Sequence, residues 1–335
     1  TTLPANTFRA SNITSVVIPN SVTTIGDQAF EFCDDITQIV LPDSVTTIGK
    51  FAFNGCANLE SITLSKGLVS AERNAFANNP KLSYVSEIPA TFKNAGYRSE
   101  YWFKDGGIFY NTPELVTVEI SDKLSVLPSN TFRDSNITSI VVPDSVSEIG
   151  YSAFNNCTAL SSVTLPSGLY NLGDNAFDGC SSLKEIKLPT PLTEIGNYAF
   201  ANTGLTSVTI PKPARNLGYK VFENCTALTS VTLAPKQVKM NGVFAGCTAL
   251  TDITIPATVT EASGAFANSG VKNVTFGEDN SSSPMRVDIP NAMFFEAKEL
   301  ESIVIPQSVT YIGYSAFEEC TSLQNIVFPD ELNTI

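Results

Sequence analysis

Seven cysteines and no histidine set the chemistry open to this chain. Cys33, Cys56, Cys157, Cys180, Cys225, Cys247 and Cys320 each lie three residues after a phenylalanine. Thiols at such regular intervals could bind zinc, pair as disulfides or serve as nucleophiles. Zinc needs four ligands that converge on one point, and ligands strung along one edge of a repetitive fold do not converge. A cysteine or serine nucleophile needs a base; histidine is missing, and no lysine or carboxylate recurs at a fixed spacing beside one. No Gly-x-Gly phosphate loop opens a helix. The expectation is a chain that is not an enzyme and that uses no metal and no cofactor.

Disulfides are the remaining option. Cysteines of consecutive repeats, such as Cys33 and Cys56, would stack at about 4.8 Å, within the Cα range of a disulfide. The odd number in a chain expected to be exported raises the same question. Against this, the equivalent position elsewhere holds Ser11, Asn79, Thr112, Ser135, Thr203, Ser269 or Ala297, so small size is the shared property. Free cysteine is among the most buried residue types. A reduced, buried structural ladder of all seven is therefore expected. Every cysteine also lies in a repeat with six residues from phenylalanine to the next apolar position, whereas the four repeats with five carry Ser or Thr.

Other polar groups offer less. Asp34-Asp35, Gly277-Glu278-Asp279-Asn280 and Glu318-Glu319 lack the alternating oxygen ligands of a calcium loop and read as solvated turns. Asn-x-Ser/Thr at Asn12, Asn136, Asn156, Asn224, Asn273 and Asn280 falls out of the repeat itself.

The elements that position these residues follow from the period. The anchor phenylalanines are Phe8, Phe30, Phe53, Phe76, Phe109, Phe132, Phe154, Phe177, Phe200, Phe222, Phe244, Phe266, Phe294 and Phe317, and eleven of the thirteen steps between them are 22 or 23 residues. The two longer steps, 33 and 28 residues, read as insertions at about 86–105 and 277–290 in a single array over residues 1–335. After each phenylalanine comes an apolar triplet such as Leu59-x-x-Ile62-x-Leu64, whose last two members alternate with Ser, Thr or Val as in a short half-buried strand. Proline closes many of these strands, as at Pro42, Pro166 and Pro306, where its missing N–H ends the ladder. The return path reads Val-x-x-Ile-Gly-x-x-Ala-Phe, as at Val45, Ile48, Gly49, Ala52 and Phe53. Its spacings of three and four predict a turn or two of helix or 3₁₀, or irregular structure. One such coil cannot bury its apolar residues alone, so about fourteen coils of 22–23 residues must stack into a solenoid. A block is also duplicated: Leu3 to Ser15 recurs as Leu127 to Ser139 at an offset of 124 residues.

Segments such as Leu160-Ser-Ser-Val-Thr-Leu-Pro166 and Ser44-Val-Thr-Thr-Ile-Gly-Lys-Phe-Ala-Phe-Asn-Gly-Cys-Ala-Asn-Leu59 resemble the BspA-like (Treponema-type) leucine-rich repeats of bacterial surface proteins. Residues 86–105 and 277–290 and the stretch from Lys236 to Val243 depart from that pattern. The resemblance implies a leucine-rich-repeat horseshoe or right-handed superhelix with a parallel sheet on its concave face. It also implies a secreted or surface-attached protein used in adhesion to host matrix, glycans or other cells. The alternatives are a structural stalk presenting another domain, or the substrate-targeting region of a larger surface enzyme.

Composition narrows the partners. Apolar residues make up 43% and charged residues 16%, enough for a continuous core. The net charge of −13 repels nucleic acid and anionic lipid, and no apolar run is long enough to cross a bilayer. The opening Thr1-Thr2-Leu3-Pro4 and an end partway through a repeat suggest a piece of a longer chain. An extracellular protein or glycan is the expected partner, and two surfaces could meet it. The outward strand positions form a ladder low in charge: Ser15 and Val17, Gln38 and Val40, Ser61 and Thr63, Ser162 and Thr164, Ser207 and Thr209, Ser230 and Thr232, Ser302 and Val304. Its simplest meaning is β-propensity, and its functional meaning is a hydroxyl-rich binding face. The first insertion gathers Phe92, Tyr97, Arg98, Tyr101, Trp102 and Phe103, including the chain's one tryptophan. These are either a patch of core at a lengthened coil or ligand-binding anchors.

Overall fold

In the computed structural model the described residues are 1–95, 107–277, 288–330 and 332. They form two compact units, Thr1–Leu169 and Tyr170–Ile335, and each is a stack of coils joined by parallel pairing.

The first unit contains β1 (Thr2–Leu3), β2 (Thr24–Ile25), β3 (Gln38–Val40), β4 (Thr47–Ile48), β5 (Ser61–Thr63), β6 (Ser70–Ala71), β7 (Tyr84–Val85), β8 (Asn94–Ala95), β9 (Val126–Leu127), β10 (Ser139–Val141), β11 (Glu148–Ile149) and β12 (Ser162–Thr164). The apolar triplets supply one set of ladders, β3-β5-β7 and β10-β12. In these, residues one repeat apart lie in register, as Ile39 with Ile62 and Ile140 with Val163. The second unit contains β13 (Asn171–Leu172), β14 (Glu194–Ile195), β15 (Ser207–Thr209), β16 (Ser230–Thr232), β17 (Asp252–Ile255), β18 (Asn273–Phe276), β19 (Ser302–Val304) and β20 (Asn325–Val327). Its triplet ladders are β15-β16 and β17-β18-β19-β20.

The return path corrects the helical expectation, since no helical or 3₁₀ segment occurs among the described residues. Instead it forms a second parallel sheet, β1-β2-β4-β6-β8 in the first unit, with β9-β11 continuing the same pattern and β13-β14 doing so in the second. The reason lies in the turn before it. The Val45 N–H donates to the Pro42 carbonyl at 3.0 Å, closing a turn, after which Thr47 and Ile48 are extended and pair with Thr24 and Ile25 of the previous coil. A turn followed by an extended step points Val45 and Ile48 inward just as one helical turn would, so the side-chain spacing does not separate the two backbones.

Gly49 follows because the coils touch there. Its N–H donates to the Ile25 carbonyl at 2.8 Å, and a Cβ on it would lie 2.6 Å from the Asp27 nitrogen. The next stretch holds the anchor phenylalanine between two left-handed residues, as Gln28 and Phe32 around Phe30, or Lys220 and Asn224 around Phe222, with φ near +56° to +59°. That geometry alternates the direction of the N–H groups. Gln28, Phe30 and Phe32 donate to Lys50, Ala52 and Asn54 of the next coil at 2.8, 2.7 and 2.9 Å. Ala29, Glu31 and Cys33 donate within their own coil, to Gly26, Gln28 and Phe30, at 3.2 to 3.3 Å. Every buried N–H of the segment is satisfied without a helix.

Stacking then aligns the rings. Centroids of successive phenylalanines lie 5.0 Å apart for Phe30 and Phe53 and 5.7 Å apart for Phe222 and Phe244, with interplanar angles of 6° and 3°. Interior members such as Phe53 and Phe222 are fully buried, while Phe8 and Phe317 are half-buried. Each offset-stacked pair adds about 0.5–1.5 kcal/mol to the burial of its apolar area.

The regular coil runs on into the bounds expected for the first insertion, 86–105. The Phe92 N–H donates to the Pro89 carbonyl at 3.0 Å, as Val45 does to Pro42, and Asn94-Ala95 pairs with Ser70-Ala71. Phe92 therefore occupies the valine position of a regular coil. Ile289 likewise pairs with Ile312 at the end of the second insertion.

Candidate functional site

All seven cysteines are free and buried. Six of the thiols reach back one coil and donate to an anchor phenylalanine carbonyl: Cys33 to Phe8 at 2.9 Å, Cys56 to Phe30 at 3.1 Å, Cys157 to Phe132 at 2.9 Å, Cys225 to Phe200 at 3.1 Å, Cys247 to Phe222 at 3.1 Å and Cys320 to Phe294 at 3.0 Å. In the coils with the shorter turn, Thr203 and Ser269 donate instead to their own Phe200 and Phe266, at 2.8 and 2.7 Å. Asn79 does both, with 3.0 Å to Phe53 and 2.8 Å to Phe76. The position is a satisfier of the phenylalanine carbonyl. Burial pushes the thiols of Cys56 and Cys157 up to about 12 and that of Cys225 up to about 11, and it raises those of Cys247 and Cys320 as well. A thiol with so little thiolate at neutral pH is neither a nucleophile nor a ready metal ligand. Among the described residues no group of three or more Cys, Asp or Glu is gathered to hold a metal ion, and no helix is long and apolar enough to cross a membrane.

Phe92 is 2% exposed, so its ring is part of the core and cannot meet a ligand from solution. The valine position it fills points inward, which the aromatic density of its neighbours obscured in the sequence. Tyr97, Arg98, Tyr101, Trp102 and Phe103 lie outside the described residues.

Most of the outward strand positions are open to solvent. In the first unit β3 alternates exposed, buried and exposed, and Val40 and Val141 are large apolar side chains in solvent. Val17 is the most open of these at 92%, but residues 15–17 do not join a ladder. Ser61 and Thr63 are half-buried, and Ser162 and Thr164 are exposed. In the second unit the same alternation exposes Ser207, Thr209, Ser230, Thr232, Ser302 and Val304.

The face is not uniform. A groove of about 580 Å³ lies over β16, β17 and β18, where the β15-β16 ladder ends and the β17-β18 ladder begins. Its sides carry Thr232, Asp252, Thr254, Asn273 and Thr275, and Pro235 and Pro256 wall it. The carboxylate of Asp252 is fixed in place, accepting from the Thr251 hydroxyl at 2.6 Å and the Asn273 amide at 2.8 Å. Those two bonds hold its pKa below the usual carboxylate value. Sequence reading passed over this site because Asp252 and Asn273 occupy positions that Ser and Thr fill in other coils. A polar residue more strongly acidic or amidic than its repeat equivalents was the available signal.

The geometry has counterparts among known proteins. The chain matches the BspA type leucine-rich repeat region over residues 1–101, 105–229, 215–287 and 287–335. A leucine-rich repeat protein from Bacteroides ovatus is 24% identical, with a TM-score of 0.58 over 99% of this chain and 77% of the other. One from Eubacterium ventriosum is 21% identical, with a TM-score of 0.54 over 90% of this chain and 86% of its own. The pneumococcal vaccine antigen PcpA is 21% identical, with a TM-score of 0.50 over 99% of this chain and 76% of its own. No curated protein matches the sequence. The stacked coils, their parallel ladders and the repeat match over nearly all of the chain place it in the BspA-type leucine-rich-repeat family.

Proposed function

We propose that this chain is a bacterial cell-surface or secreted interaction module, an adhesin-type surface that binds extracellular proteins, glycans or other cells and performs no catalysis. The observation that carries this reading is the outward face of the strands. It is rigidly backed by the stacked core, exposed, low in charge, and rich in hydroxyls and single apolar side chains. Rigid backing lowers the ordering cost of association, and exposed apolar residues on a hydroxyl-rich sheet suit a partner lying across several strands. Family membership and the likeness to a pneumococcal vaccine antigen support a place outside the cell. The absence of histidine and the raised thiol pKa values support binding over chemistry.

The test is direct. The purified chain is applied to arrays of extracellular-matrix proteins and glycans, alongside a variant in which Thr209, Thr232 and Val304 are replaced by Glu. Binding by the parent and its loss in the variant support the reading. Silence on both arrays favours a stalk, and binding untouched by the variant moves the site to another surface. The aromatic insertion is then the first alternative, because Tyr101 and Trp102 are large anchors of the kind that dominate interfaces.

A further inference from the structure

Three features of the groove over β16–β18 bear on what it could hold. The first is its free hydrogen-bonding groups. The hydroxyls of Thr232, Thr254 and Thr275 are exposed and have no side-chain partner among the described residues, as is also true of Ser207 and Thr209 on β15. Thr254 and Thr275 are register partners, so hydroxyls repeat across the groove at about the 4.8 Å strand spacing.

Charge is the second feature. The Asp252 carboxylate is fixed in the groove wall, and among the described residues no lysine or arginine lines the space. Lys272, next to Asn273 in sequence, is paired with Glu299 at 3.3 Å, and Lys236, next to Pro235, is not among the lining residues. An anionic ligand would meet a fixed carboxylate with no cation among the described lining residues to offset it. A cationic group would gain a partner whose position is already set.

The third feature separates polypeptide from sugar. Among the described residues no aromatic ring lines the groove, so the face of a pyranose has nothing there to stack on. An extended peptide instead presents alternating N–H and C=O groups, and a threonine hydroxyl can serve either. Pro235 and Pro256 give apolar walls for its side chains.

We propose that this groove is a binding site for an extended peptide segment that places a lysine or arginine side chain on Asp252, with Thr232, Thr254 and Thr275 bonding its backbone. The inference rests on the interaction-module reading and assigns that surface a site and a ligand class.

The experiment uses the whole chain and a library of short peptides of random sequence, selected in parallel on the parent, on Asp252→Asn and on Asp122→Asn as a control carboxylate in the other unit. Peptides selected on the parent should be enriched in Lys or Arg at one position. Asp252→Asn should weaken those peptides about fivefold, the scale of a partly solvated ion pair. Asp122→Asn should leave them unchanged. A second variant, Thr254→Lys, fills the groove with its own cation and should abolish selection. The proposal is overturned if selected peptides carry no basic preference, if Asp252→Asn selects the same peptides with unchanged affinity, or if the groove variants alter glycan binding alone. Array binding that persists in Asp252→Asn refutes the groove and leaves the interaction-module reading standing. Silence of the parent on every array and library refutes both. Circular dichroism of each variant should match the parent, since Asp252 is exposed.

Discussion

The Cys56 thiol donates to the carbonyl of Phe30, one coil earlier, at 3.1 Å. The bond ties the one reactive side-chain type of the repeat to the backbone of its largest core residue, and it recurs from Cys33 to Cys320. Replacing Cys157 by Ala removes the same bond to Phe132 and leaves a small void. A loss of about 1–2 kcal/mol is expected in urea unfolding. Cys157→Ser keeps a donor and should cost less, in keeping with Ser135 at the equivalent position.

Buried, neutral thiols predict an alkaline dependence of stability. The folded pKa of Cys56 and Cys157 is raised from 9.0 to about 12 by burial, so above pH 9 the unfolded chain releases protons that the folded chain retains. Stability is therefore fully present below pH 9 and falls as pH rises from 9 toward 12. Melting temperature against pH from neutral to alkaline should show that decline, and Cys56→Ser should flatten it. Thiol titration of the native protein at neutral pH should find almost no reactive groups, and after denaturation without reductant all seven. Far fewer than seven would mean that neighbouring cysteines are oxidised.

The left-handed pairs around anchor phenylalanines such as Phe244 and Phe294 give a contrast of sign. Gly246 has φ +74°, and Gly246→Ala should destabilise by about 1–2 kcal/mol. Ala292 has φ +53° in the corresponding conformation, and Ala292→Gly should be neutral or stabilising by about 0.5 kcal/mol, as relief of strain outweighs the entropy added to the unfolded chain. Paired urea titrations check both, and a shared sign would remove the strain argument.

Truncation in the ring stack should be severe. Phe222 lies between Phe200 and Phe244 at centroid distances of 5.5 and 5.7 Å and is fully buried. Phe222→Ala is expected to cost about 3–5 kcal/mol. Calorimetry should show a lowered transition in which the neighbouring coils melt together.

If the strand-face variant leaves array binding untouched, Tyr101→Ala with Trp102→Ala should weaken binding to that ligand while leaving the melting temperature within a few degrees of the parent. Unchanged affinity would exclude the aromatic insertion as the site.

Much of the fold can be read from residue order. The anchor phenylalanines, the alternating triplets and the fixed place of the cysteines state which side chains turn inward, because burial selects by size and polarity at every coil. Gly55, Asn78, Gly179, Asn202 and Gly246, two residues after their phenylalanines, even carry the signature of the left-handed turn, and it was there to be found. The tertiary structure alone decided the backbone between those anchors. Val45 and Ile48 point inward on a turn and a bridge as well as on a helix, and the outcome depends on which carbonyl the neighbouring coil brings within reach. The same holds for Phe92, whose burial follows from the pairing of Asn94-Ala95 with Ser70-Ala71. The groove at Asp252 exists because one ladder ends at β16 and another begins at β17, a contact between coils that no single repeat contains.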